Sequence, residues 1–232
     1  MNRPTPIVAL DVSTDAQASA LVDELGDLCR FYKVGNELFT AAGPAVVEML
    51  RARGAQVFLD LKFHDIPNTV AGAVRSAAAL GARLVTVHAS GGMAMLRAAV
   101  DAAGNPERCG VLAVTVLTSL DAAALREAWG RSPEPSVDEE VLRLGALARS
   151  AGVFGLVCSG HEVRPARERF GMSLALLVPG VRLFGTGQQD QARVVTPRAA
   201  AEAGATYVVL GRTVTAAADR RGAMEQVLAA LA

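Results

Sequence analysis

The chain is poor in the features that mark several large protein classes. Cysteine is scarce: Cys29, Cys109 and Cys158 are the only three in 232 residues. The number is odd and no CxxC pair occurs, so neither a disulfide framework nor a structural zinc site is expected. An excess of one charge is also missing, with 23 Lys and Arg against 23 Asp and Glu. Without a net field to attract a polyanion or an acidic bilayer, the chain is not expected to bind nucleic acid or a membrane surface, and affinity for an anion must be built locally. No apolar run reaches the length of a membrane span. The opening Met1-Asn2-Arg3-Pro4-Thr5-Pro6 runs into an apolar stretch too short for a signal-peptide core, so the expected location is the cytoplasm. Aromatic residues are few, at 4%, while half the chain is apolar. That balance suits buried parallel strands under Ala-rich helices better than a β-sandwich.

Short runs rich in Val, Leu and Ile do alternate with longer segments of helical period. Eight runs read as strands: Ile7–Asp11, Phe31–Gly35, Gln56–Lys62, Leu84–His88, Gly110–Val116, Gly155–Cys158, Leu174–Val178 and Tyr207–Leu210. Between and after them, Asp15–Leu28, Pro44–Arg53, Thr69–Leu80, Met93–Ala102, Asp138–Ser150, Glu162–Phe170, Pro197–Ala203 and Gly222–Leu231 read as helices. An open, doubly wound sheet has the same local alternation. Count and placement favour a single closed (β/α)8 barrel of the TIM type, because polar or Gly-containing residues follow nearly every run and a barrel gathers such ends on one face. The Pro-rich passage at 131–135 is short enough to be a loop, so residues 1–232 are expected to form one domain. The stretch from Leu183 to Asp190, with two glycines, reads either as a lid or as an ordinary surface connection.

Side chains alternate along a strand, which turns Asp60 and Lys62 to one face and Leu59, Leu61 and Phe63 to the other. Charges on a lumen face are costly unless paired or solvated, so the pair is either a structural ion pair or a functional one. Lys33, at the end of the second run, and Asp65, just past the third, add a second amine and another carboxylate. Carboxylates around an amine favour its ammonium form, and an ammonium can donate a proton. Ile66 precedes Pro67 and is biased towards an extended conformation, with Asn68 and Thr69 available to cap the next helix. Arg182, Gly211 and Arg212 follow the seventh and eighth runs, where barrels of this kind hold phosphate, and arginine supplies bidentate charge for it. His64 and His88 lie near Asp60 and could suggest a metal, but His64 is expected to point away from the Asp60 and Lys62 side, and His88 reads as a polar residue closing a barrel layer. No metal or other cofactor is expected, and His161 reads as a solvated loop residue.

The run Asp60-Leu61-Lys62-Phe63-His64-Asp65-Ile66-Pro67-Asn68-Thr69 resembles the motif of the orotidine 5′-monophosphate decarboxylase family in its bacterial form. Further similarity falls in order at Ala9-Leu10-Asp11, Tyr32-Lys33-Val34-Gly35, Val87-His88-Ala89, Leu117-Thr118-Ser119, Pro179-Gly180-Val181-Arg182, Asp190 to Val194, and Leu210-Gly211-Arg212. The resemblance implies a homodimeric, cofactor-independent carboxy-lyase of pyrimidine biosynthesis that converts orotidine 5′-monophosphate to uridine 5′-monophosphate and CO2. It implies that Lys62 is the proton donor, that Asp60 lies beside the substrate carboxylate, and that Lys33 contacts the ribose within the charged array. Asp11 would bind ribose hydroxyls, Thr118 would face the pyrimidine, and Arg182, Gln191, Gly211 and Arg212 would hold the phosphate. Asp65 and Thr69 would come from the partner subunit.

Two rival readings remain open at this point. A metal-dependent decarboxylase of sugar-acid phosphates has a similar Asp-x-Lys-x-x-Asp spacing, although its group typically continues with Ala-Gly where this chain has Ile-Pro-Asn-Thr. A non-catalytic nucleotide-phosphate binding protein would use the same barrel without turnover.

Overall fold

Each of the eight apolar runs forms a strand, and each strand pairs in parallel with the next until the last returns to the first. The computed structural model describes residues 3–130, 136–183 and 195–232. Its strands are β1 (Thr5–Ala9), β2 (Phe31–Gly35), β3 (Gln56–Phe63), β4 (Leu84–His88), β5 (Gly110–Val114), β6 (Gly155–Val157), β7 (Ala175–Val178) and β8 (Tyr207–Leu210). They are hydrogen-bonded in chain order as a closed barrel. The closing seam sets Thr5 to Val8 of β1 against Tyr207 to Leu210 of β8. This decides between the closed barrel and the open sheet.

The period-two pattern splits the apolar side chains into two layers. Ile7, Ala9, Phe31, Phe58, Leu84, Leu112, Leu177 and Val209 fill the lumen as one cluster. Their strand neighbours, among them Val8, Tyr32, Val34, Leu59, Val85 and Val208, face outward into a larger cluster against the helices. Leu61 and Phe63 pack on that outer layer. Two residues beyond Phe31, Phe58 and Leu84 stand Lys33, Asp60 and Thr86, so polar groups lie one pleat above an apolar plug.

The helices lie outside this sheet: α1 (Asp15–Leu25), α2 (Asn36–Ala42), α3 (Ala45–Ala52), α4 (Pro67–Ala79), α5 (Gly92–Ala103), α6 (Ala122–Trp129), α7 (Val137–Ser150), α8 (Val163–Phe170), α9 (Pro197–Ala203), α10 (Arg212–Thr215) and α11 (Arg220–Leu231). Several begin on a side-chain cap, such as Thr14 accepting from the Gln17 amide and Asp121 accepting from the Ala124 amide. Three of them, α2, α6 and α10, go beyond the sequence reading. The Asp121 cap was a usable signal for α6. The helix read as Asp15–Leu28 ends at Leu25, because Gly26 turns to φ 55° and its N–H closes on the Val22 carbonyl. Only a 3-10 turn, Gly26–Leu28, continues it.

Two other details differ from expectation. β1 stops at Ala9, yet the Leu10 N–H still donates to the Lys33 carbonyl at 2.9 Å, so Asp11 is carried along the strand's line to the barrel mouth. Ile66 is extended as its proline neighbour demands (φ −57°, ψ 152°), but α4 starts at Pro67 with no side-chain cap. Asn68 and Thr69 therefore stand inside its first turn. A proline at the first helical position needs no N–H partner there, which removes one of the bonds a cap would supply.

Candidate active site

A pocket of about 450 Å³ opens over the C-terminal ends of the strands. Its floor is the top of the lumen plug, with Ala9, Phe58, Val157, Leu177 and Val209 lining it from below. Asp11, Lys33, Asp60 and Lys62 form one wall, and Arg182, Gly211 and Arg212 form another, with Thr118 between the loops.

The charged wall is a chain of alternating signs. The Lys33 ammonium donates to Asp11 Oδ1 at 2.9 Å and lies 3.7 Å from Asp60 Oδ2. The other Asp60 oxygen, Oδ1, accepts from the Lys62 ammonium at 2.8 Å. Asp60 and Lys33 are largely sheltered, with 14% and 11% of their side chains exposed, whereas Asp11 reaches solvent at 58%. Buried charges are tolerable when every partner is opposite and close, and that holds along this row. The array has no slack where Lys33 meets Asp11. A Cβ on Gly35 would come within 2.9 Å of Lys33 Nζ and 3.5 Å of Asp11 Oδ1. Gly35 has an ordinary extended φ of −93°, so what it supplies is room. Gly35→Ala is expected to keep the melting temperature within a few degrees while displacing the Lys33 ammonium, because only the end of a flexible side chain must move. Activity should fall about 10- to 100-fold, as a misplacement of roughly 1 Å does; thermal denaturation beside steady-state kinetics checks both halves.

Asp65 stands apart from this row. Its Oδ1 accepts the Ile66 N–H at 2.6 Å, and among the described residues it makes no ion pair with Lys33 or Lys62. It lines a second, shallower depression with Lys62, His64 and Thr69, on the flank of the barrel mouth. Ile66 beside it is two-thirds exposed. Within one chain the fourth charge of the array is therefore Asp11, and Asp65 and Thr69 do not reach the pocket.

His64 and His88 also lie outside the pocket lining, with their rings 5.2 Å apart. Burial, then the neighbouring His64 and Lys62, lowers the pKa of His88 from its usual value. No group of three or more His, Cys, Asp or Glu side chains able to hold a metal occurs among the described residues.

The opposite wall is tied together by Thr213. Its hydroxyl donates to the Val181 carbonyl at 2.9 Å and receives the Arg182 guanidinium at 3.5 Å, so the Arg182 loop is held against the start of α10, where Arg212 stands. The Arg182 N–H donates to the Val195 carbonyl at 2.9 Å. A Cβ at Gly211 would meet nothing within 4 Å, so this backbone faces open space in the pocket. Gln191 lies outside the described residues.

A family model described as "Orotidine 5'-phosphate decarboxylase / HUMPS family" matches residues 4–227. The chain belongs to this family. Among curated members, the orotidine 5′-phosphate decarboxylase of Halorhodospira halophila is 52% identical, covering 99% of this chain and 96% of that protein. The orotidine 5′-phosphate decarboxylase of Moorella thermoacetica is 49% identical, covering 96% and 90%. The crystal structure of orotidine 5′-phosphate decarboxylase from Lactobacillus acidophilus superposes with a TM-score of 0.87 at 37% identity, over 99% of each chain. The family's closed barrel is thus the architecture of this chain as well. Of the residues expected from sequence, the fold gathers Asp11, Lys33, Asp60, Lys62, Thr118, Arg182, Gly211 and Arg212 around one pocket. Sequence reasoning placed Gly35 in a matching run but gave it no role, and it did not single out Thr86 or Thr213; their contacts are ones that no motif spacing displays.

Proposed function

We propose that the protein is an orotidine 5′-monophosphate decarboxylase that uses no metal or other cofactor. The observation that carries this reading is the row Asp11, Lys33, Asp60, Lys62 set along one wall of a pocket whose far wall holds two arginines. The substrate has matching parts. Its phosphate dianion suits Arg182, Arg212 and the backbone at Gly211, with Gln191 a further ligand. Its ribose hydroxyls suit Asp11 and Lys33, and its pyrimidine fits between Thr118 and the apolar floor.

In this pose the orotate carboxylate lies beside Asp60 and Lys62. Breaking the bond from ring carbon six to the carboxylate releases CO2 and leaves the electron pair on that carbon. Lys62 then transfers its proton to the same carbon and becomes a neutral amine, which solvent reprotonates. Two effects favour the step. The Lys62 ammonium stabilises charge as it develops on carbon six. Asp60 disfavours the carboxylate next to it, and that repulsion ends when neutral CO2 leaves. The apolar floor suits CO2 and keeps water from the carbanion.

The reading includes a homodimer in which Asp65 and Thr69 of one subunit complete the site of the other. Support comes from their position: both line a depression beside the exposed Ile66 and neither lines its own subunit's pocket. Asp65→Ala and Lys62→Ala homodimers should each be inactive. Mixed and re-associated, they should recover about a quarter of the unmutated activity, since half the dimers are hybrids and each hybrid has one complete site. No recovery would place Asp65 in its own subunit's site, and an active Asp65→Ala homodimer would place it outside catalysis.

The function itself is tested by mixing the protein with orotidine 5′-monophosphate and a chelator and following the loss of orotate absorbance. Turnover is expected with the chelator present. Turnover that needs magnesium, or occurs only on a sugar-acid phosphate, would favour a metal-dependent decarboxylase; tight binding without turnover would favour a regulator.

A further inference from the structure

Lys62 has a backbone conformation that its side chain alone does not favour. Its φ is +50°, and it is the only non-glycine residue with positive φ among those described. Left-handed backbone in an L-residue persists where surrounding contacts hold it, and such outliers cluster at functional sites. The cause lies in the pairing of β3 with β4. Leu59 pairs with Val85 and Phe63 with Val87, so Asp60, Leu61 and Lys62 together face a single residue, Thr86. A bulge of this kind re-aims a side chain and removes backbone groups from the ladder.

Thr86 occupies the gap. The Lys62 N–H donates to Thr86 Oγ1 at 2.9 Å, replacing the lost ladder bond. The same hydroxyl donates its own hydrogen to Asp60 Oδ1 at 3.1 Å. Asp60 Oδ1 is also the oxygen that accepts from the Lys62 ammonium. One hydroxyl therefore acts as acceptor for the backbone of Lys62 and as donor to its counter-ion, using the two capacities that only Ser and Thr combine in so small a group. Thr86 is 1% exposed and does not line the pocket.

We propose that Thr86 is a positioning residue of the decarboxylation site, holding the bulge at Lys62 and orienting Asp60 so that the ammonium is aimed at the substrate carbon. The inference rests on the proposed function, and it deepens that reading by assigning the support of its proton donor. Thr86 touches no substrate. With Asp60 Oδ1 saturated by Thr86 and Lys62, Asp60 Oδ2 is left to Lys33, so one buried hydroxyl sets both contacts of the central carboxylate.

The test compares Thr86→Val, which keeps the shape and removes the hydroxyl, with Thr86→Ser, which keeps the hydroxyl. Thr86→Val should lower kcat about 10- to 100-fold with KM changed less than about threefold, because aim at the reacting carbon is lost while the phosphate grip remains. Thr86→Ser should recover kcat to within about threefold of the unmutated protein. If Thr86→Val does not fold, Thr86→Ala carries the same comparison. A crystal structure of the hydroxyl-free variant gives a readout that needs no turnover: Lys62 should leave the left-handed region, and its ammonium should move away from Asp60 Oδ1. Unchanged kcat with unchanged Lys62 geometry overturns the proposal, as does an equal defect in the serine and valine variants. Failure of the unmutated protein to decarboxylate would instead strike the functional reading, and the Lys62 geometry would still decide the role of Thr86.

Discussion

Replacing Lys62 by alanine should reduce decarboxylation by roughly 10⁴-fold or more while leaving the barrel folded, since a positioned proton donor is worth about 10²–10⁴ and a preorganised charge at the developing anion about 10²–10³ more. The two contributions come from one group and do not simply multiply. The proposed mechanism assigns both to Lys62, because Lys33 is held by Asp11 at 2.9 Å, on the side of Asp60 away from Lys62. The loss should fall on kcat, because the residues proposed to hold the phosphate and the ribose line other parts of the pocket. It also leaves Asp60 without its strongest partner beside a substrate carboxylate, which adds repulsion in the ground state. Orotate absorbance under single-turnover conditions, with circular dichroism on the same sample, checks the expectation. A residual rate within tenfold of the unmutated protein would remove Lys62 from the mechanism.

Arg212→Ala has the second largest expected effect. In the proposed pose its charge serves the phosphate, which does not react, and binding energy from such a remote group can be used to close the site and exclude water around the ring. Losing one charged, preorganised contact should lower kcat/KM by about 2 to 4 kcal/mol, or roughly 30- to 900-fold. Arg182 stays in place through the loss, since Thr213 and Val195 hold it by its side chain and backbone. The defect should therefore be partial, and part of it should appear in kcat. A variant whose kcat/KM is unchanged would mean that the phosphate lies away from α10. Measuring the inhibition constant of inorganic phosphate alongside would separate lost anion binding from a distorted ring pocket.

Much of this architecture is legible in the chain because its causes are local. A strand buried on both faces must be a short apolar run, and a helix packed on one side must repeat near 3.6 residues, so eight alternations could be counted without coordinates. The motif from Asp60 to Thr69 likewise keeps its donors and carboxylates within ten residues. Period two placed Asp60 and Lys62 on one face, and the fold agrees for that pair. Yet the reason it agrees is not simple alternation: the bulge adds two residues to β3 between Leu59 and Phe63, and Lys62 reaches the pocket through a left-handed turn.

By itself, then, the sequence determined the eight strands and most of the helices, the family and most of the charged residues that line the pocket, all of which depend on composition and near-neighbour spacing. Tertiary structure alone decided that the sheet closes, since closure needs β8 to meet β1 across some two hundred residues of chain. It alone decided that Asp11 joins Lys33 in the row while Asp65 stays on the flank, and that Gly35, Thr86 and Thr213 serve the site. Those assignments rest on hydrogen bonds and close approaches between different strands and loops. Such distances are set by how the barrel closes and where one strand bulges against its neighbour, and no single segment of chain contains them.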